Sequence, residues 1–165
     1  MMKHTIELEA KLSARLEQVC DVLARRTTRG DHPRHLHVEL GPRRAVQQQI
    51  DVVFGPAEVR DGSMTQSVHI EAVDHRRLFP MLDGELFAFE MDVPEDTLVC
   101  LVCLTGRYQP PMGPAGAIGH RLGGRRLAEA SIRAFFDELV GGITAELESM
   151  QVGWKPASTA WTLRD

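Results

Sequence analysis

Cysteine, aromatic residues, basic excess and long apolar runs are all scarce in this chain, and each scarcity excludes something. Three cysteines in 165 residues is an odd number, far below the density of a disulfide-stapled secreted domain. Lysine and arginine number 19 against 23 aspartates and glutamates, a formal net charge of −4, so no surface for neutralising phosphates is expected and nucleic acid is disfavoured as a partner. The longest strongly apolar run, Leu98 to Leu104, has seven residues, against the roughly 20 that a helical membrane span requires. The opening MMKHTIELEAKL holds no apolar stretch of the kind a secretory signal needs. The expectation is a cytoplasmic protein with no membrane span. With 43% hydrophobic and 25% charged residues, the chain is neither disordered nor fibrous. Its length suits a single domain, read as residues 1–150, followed by a tail, 151–165, that docks through Trp154 or Trp161.

Periodicity supplies the element order. Thr5 to Glu9 alternates as a half-buried strand, and Ser13 then offers an N-cap for a helix whose apolar face is Leu12, Leu16, Val19, Cys20 and Leu23, ending near Arg26. Five strand-like stretches follow. They are 35–40, 46–54, 64–72, 84–91 and 97–108, with Gly55-Pro56 and Asp61-Gly62 read as turns and a meander as the simplest topology. From Arg126, Ala128, Ile132, Phe135, Phe136, Leu139, Ile143 and Leu147 recur at spacings of three and four, so a long amphipathic helix must cover something. Gly141-Gly142 marks a kink or a close approach within it. Strand, helix, a run of strands and a final helix make an α+β protein in which a curved antiparallel sheet is closed by the C-terminal helix. A gap between the two is a natural place for a small apolar ligand.

Three stretches carry a resemblance. LFPMLDGEL at 78–86, LTGRYQPPMGPAGAIG at 104–119 and RRLAEASIRAFFDEL at 125–139 resemble an uncharacterised bacterial branch of the START-like superfamily, also called the helix-grip or SRPBCC group. The resemblance covers most of the chain and is most specific in the C-terminal half. It implies a helix-grip fold, a curved sheet wrapped around a long C-terminal helix with a hydrophobic tunnel that takes lipids, polyketides or other apolar molecules. In some branches it implies cyclisation or dehydration chemistry. The usual two short helices after the first strand are here compressed to one helix and the link 27–34.

Within that frame, Leu98, Val102, Leu104 and Tyr108 are expected to line the sheet side of the cavity, and Ile132, Phe136 and Leu139 the helix side. Gln48 and Gln66 share parity with apolar neighbours, so each points an amide inward, where it needs a partner and can select polar groups of a ligand. Cys100 and Cys103 have CxxC spacing, yet residues three apart on a strand face opposite ways and cannot chelate one ion. His35, His37 and Glu39 share a strand face, with His69 and Glu71 as the natural further ligands, although a solvated face explains them as well. The glycines from Gly113 to Gly124 lack the features of a phosphate loop, and Arg121, Arg125 and Arg126 are either an anion site or a solvated turn. No triad, metal quartet or cofactor fingerprint is present, so neither cofactor nor metal is expected.

The reading is therefore a non-catalytic protein that binds a small hydrophobic molecule or lipid. One alternative is a cyclase or dehydratase with Glu90 or a histidine as general base. Glu90 shares parity with Leu86 and Ala88, while Phe87 and Phe89 have the opposite parity, so the inward face of 84–91 stays open. A second alternative is an interaction protein with a filled core, forming a homodimer through outward aromatics.

Overall fold

The computed structural model describes residues 4–30, 32, 34–39, 45–73, 80–93, 98–109 and 121–152. The alternating segments become six strands: β1 (His4–Leu12), β2 (His35–Glu39), β3 (Ala45–Arg60), β4 (Ser63–Ala72), β5 (Met81–Met91) and β6 (Val99–Gln109). The segments with helical period become α1 (Leu16–Arg29) and α2 (Arg121–Val152). The sheet is wholly antiparallel in the order β1-β6-β5-β4-β3-β2, so β2 to β6 form a meander and β1 returns to the far side of β6. It curls into a half-barrel. The fold is α+β, as the element order implies.

Both helices lie on the concave side. α2 packs against both edge strands, β1 and β2, and closes the open side of the half-barrel, while α1 covers β4 and β5 and meets α2. Ala128, Ile132, Phe135, Phe136, Leu139, Ile143 and Leu147 of α2 are all buried, facing Leu8, Leu36, Ile70, Leu82, Leu86, Val102 and Leu104 of the sheet in one continuous core. The parity of β5 is settled: Leu82, Leu86 and Ala88 point inward, and Phe87 and Phe89 point outward. Gly84 and Gly106 pair across β5 and β6. A Cβ on Gly84 would stand 2.5 Å from the Thr105 carbonyl oxygen, so this crossing tolerates no side chain.

Several boundaries differ from the sequence reading. α1 runs on to Arg29 and stops at Gly30, whose φ of 70° is the left-handed conformation that ends helices most readily. Its start is not capped by Ser13. The N-cap position is Arg15, whose backbone N–H donates to Gln18 Oε1 at 3.0 Å, and the Leu16 N–H donates to Glu90 Oε1 at 2.9 Å. A carboxylate from β5 thus serves as the missing cap and faces the positive end of the helix dipole. α2 begins at Arg121, before the periodic pattern and despite the low helix propensity of Gly123 and Gly124. Gly141-Gly142 does not break it. The close approach there is a side chain: the Arg26 Nη1 donates to the Gly142 carbonyl at 3.4 Å, and the Arg25 and Arg26 guanidiniums lie 3.2 and 3.7 Å from Glu146.

The largest difference is in β3, which runs through Gly55-Pro56 rather than turning there. The register slips between Phe54 and Ala57, a β-bulge. A bulge leaves backbone groups outside the ladder, which is where a proline, lacking an N–H, is tolerated within a strand. The true turn is Asp61-Gly62, both with positive φ.

Candidate functional site

The bulge sets up the polar chemistry of the concave face. Gln66 projects inward from β4 opposite Ala57 and is only 4% exposed. Its Nε2 donates to the Gly55 carbonyl at 2.9 Å, a carbonyl that the bulge has released from the ladder. Its Oε1 is buried with no hydrogen-bond partner among the described residues. A buried carbonyl oxygen left without a donor costs about 1–3 kcal/mol. Phe54, diagonally across the ladder, is half-buried, and the His32 ring meets its edge at 5.7 Å between centroids. The His32 Nδ1 is also buried and unpartnered. Two orphaned polar atoms therefore flank one aromatic ring at the bulge.

Gln48, 8% exposed, is placed inward as expected but elsewhere. It precedes Ala57 by nine positions along β3, roughly 30 Å at the usual rise per residue, so the two glutamines do not pair and do not serve one small polar group. Ser131 of α2 has one hydroxyl proton and two acceptors in reach, Leu127 O at 2.8 Å and Gln48 Oε1 at 3.2 Å. Gln48 thereby ties β3 to the helix.

Tyr108 is buried at the end of β6, and its hydroxyl donates to Glu129 Oε1 at 2.9 Å. Arg125 Nε donates to the same oxygen at 2.8 Å, and His4 stacks on the phenol ring at 5.5 Å between centroids. The Arg125 hydrogen bond, with help from that of Tyr108, holds the Glu129 carboxyl below its usual value. Burial, then the hydrogen bond to Glu129, pushes the phenol up. This cluster fastens the start of α2 to the sheet, and it engages Arg125, one of the three arginines considered for an anion.

The apolar positions divide. Val102, Leu104, Ile132, Phe136 and Leu139 are all buried and brought together between sheet and α2. They have almost no surface that water can touch, so neighbouring side chains fill the space beside them. Leu98 is not among them: it precedes β6 and is 46% exposed. Its parity with Cys100 and Val102 carries no weight outside the strand. Phe54, at the bulge, is an inward position that stays partly accessible, as are Ile6 and Ala10 on β1. Sequence reasoning missed the bulge, although Gly55-Pro56 inside an alternating run is the signal of one.

Glu90 points toward the Leu16 N–H and is exposed, so the acid that a catalytic reading requires is occupied in capping α1. Cys100 faces the core and Cys103 the outer face; both are free thiols, and burial pushes Cys100 up to about 11. His35 and His37 are exposed on β2, while His69 Nδ1 lies 2.6 Å from Asp83 Oδ1 on the outer face. Among the described residues no three histidines, cysteines or carboxylates converge. No helix of the described residues is long and apolar enough to cross a membrane. The link 110–120 and the tail with Trp154 and Trp161 lie outside the described residues.

No family model and no curated protein matches the chain. Solved structures do match it in shape. A conserved protein from Geobacillus kaustophilus superposes with a TM-score of 0.51 at 14% identity, over 90% of this chain and 96% of that one. An aromatase/cyclase from a Streptomyces species gives 0.47 at 13% identity, over 91% and 96%. A protein from Rhizobium leguminosarum gives 0.43 at 11%, over 90% and 96%. At such identities the first likeness is one of fold, and this chain shares the curled antiparallel sheet closed by a C-terminal helix.

Proposed function

We propose that this is a helix-grip protein of the START-like kind that binds a small, largely apolar molecule carrying one hydroxyl or N–H group. The observation that carries the reading is the unpartnered Gln66 Oε1 beside the bulge. The donor of the ligand sits on that oxygen, and its apolar body lies against Phe54. From there it reaches toward Phe136, Leu139 and Ile132, which with Val102 and Leu104 repack to receive it. His32 Nδ1 is a second polar contact at the mouth. Binding rather than turnover follows from the chemistry available, since an amide orients a ligand but does not exchange protons at neutral pH.

The test compares 2-naphthol with naphthalene by calorimetric titration. The protein prefers 2-naphthol by roughly tenfold, the equivalent of about 1.4 kcal/mol. Gln66→Leu abolishes the preference while keeping whatever affinity the ring alone provides. Equal affinity for both probes in the unaltered protein, or a preference that survives Gln66→Leu, rejects the reading.

A further inference from the structure

The sheet ends at β2, whose residues alternate in face. Leu36 and Val38 are buried in the core, so His35 and His37 turn to the convex side, where both are exposed. Their roots stand about 7 Å apart, two residues along an extended strand. An ion held about 2.0–2.1 Å from one nitrogen of each ring fits between imidazoles that lean toward each other from that separation. The strand backbone fixes the spacing, so once one imidazole has bound, the other meets the ion at high local concentration.

The register adds two oxygen donors. His35 lies opposite Gln49 and His37 opposite Gln47, and both glutamines are exposed on the same face as the histidines. Directly opposite residues have Cβ atoms about 4.5–5.5 Å apart, which brings two carboxamide oxygens beside the two imidazoles. Gln48, between them in sequence, turns the other way to Ser131, so three successive glutamines divide by parity between the two faces. Two neutral nitrogens with two oxygens are the donors that suit copper(II) or nickel(II), which take tetragonal nitrogen and oxygen surroundings. Charge favours a cation here too. Asp51 follows Gln49 on the same face, and Glu71 stands opposite it. Two carboxylates directly opposed repel each other, and a divalent ion beside them relieves that repulsion. His69 is not part of the group, since it lies opposite Val53 and is held by Asp83.

We infer that the convex face of the β2–β3 edge is a binding site for a divalent transition-metal ion of the copper(II) or nickel(II) kind, chelated by His35 and His37 with the Gln47 and Gln49 amides completing its surroundings. The bound ion clamps the last strand of the sheet to its neighbour. The ligand site on the concave side is independent of it.

Calorimetric titration of nickel chloride into the full chain, in a buffer that does not bind metals, tests this. The unaltered protein takes up nickel, and its thermal midpoint rises with metal concentration, since an ion that binds the folded strand pair stabilises it. His35→Gln and His37→Gln each weaken the tightest binding about tenfold or more and abolish the rise. Gln47→Ala combined with Gln49→Ala also weakens it, by less, and His69→Gln leaves it unchanged. Without metal these variants of β2 and β3 keep the original midpoint, because all four side chains lie outside the core. The inference is overturned if the unaltered protein binds nickel no more tightly than about 1 mM, if either histidine variant keeps the original affinity, as two independent histidines would, or if removing both amides changes nothing.

Discussion

Gln66 and Glu129 show how far a single side chain can be read before its neighbours are known. Alternation placed Gln48 and Gln66 inward, because period two assigns faces without reference to the rest of the fold. Their partners were not legible: Gly55 O lies eleven residues from Gln66 and Ser131 lies 83 from Gln48. Glu129 gave no sequence signal at all, yet it holds Tyr108 and Arg125 together. Its carboxyl is held down chiefly by Arg125, so the folded state favours its ionised form. Stability from this cluster is complete above the ordinary value of 4.5 and is lost as pH falls through the lower folded value. Glu129→Gln is accordingly less stable than the unaltered protein at neutral pH, and urea midpoints of the two converge as pH falls below 4.5 and through the lower folded value. A difference that persists unchanged at low pH contradicts the assignment.

Helices and strands were legible where the period was long and uninterrupted, and illegible where a local breaker was overruled. The seven buried apolar positions among the described residues of α2 follow their spacing without exception. Gly55-Pro56 looks like a turn and is a bulge, because adjacent strands hold β3 extended on either side of it. Leu98 lost its face because the strand begins one residue later. The paired glycines of α2 separate two meanings of the same residue. A Cβ at Gly141 meets nothing, whereas one at Gly142 would stand 2.3 Å from the Arg26 guanidinium. Gly141→Ala therefore stabilises the protein by up to about 1 kcal/mol through helix propensity. Gly142→Ala gains less or destabilises, since Arg26 must leave Gly142 O and Glu146. Chemical denaturation of the two variants checks the ranking, and a larger gain at Gly142 would refute it.

At the scale of the molecule, element order and composition were enough to reach a curved sheet closed by a C-terminal helix. They were not enough to say how full the interior is. That depends on which side chains meet across it, and the buried faces of β5, β6 and α2 belong to one core. At the bulge, an amide oxygen is buried without a partner among the described residues. The central claim concerns the ligand, and native mass spectrometry of the protein isolated from its own host, beside Gln66→Leu prepared identically, tests it most directly. The account predicts a bound apolar compound bearing a hydroxyl or N–H group on the unaltered protein and its loss from the variant. A bare chain, or the same compound held equally by both proteins, would contradict it.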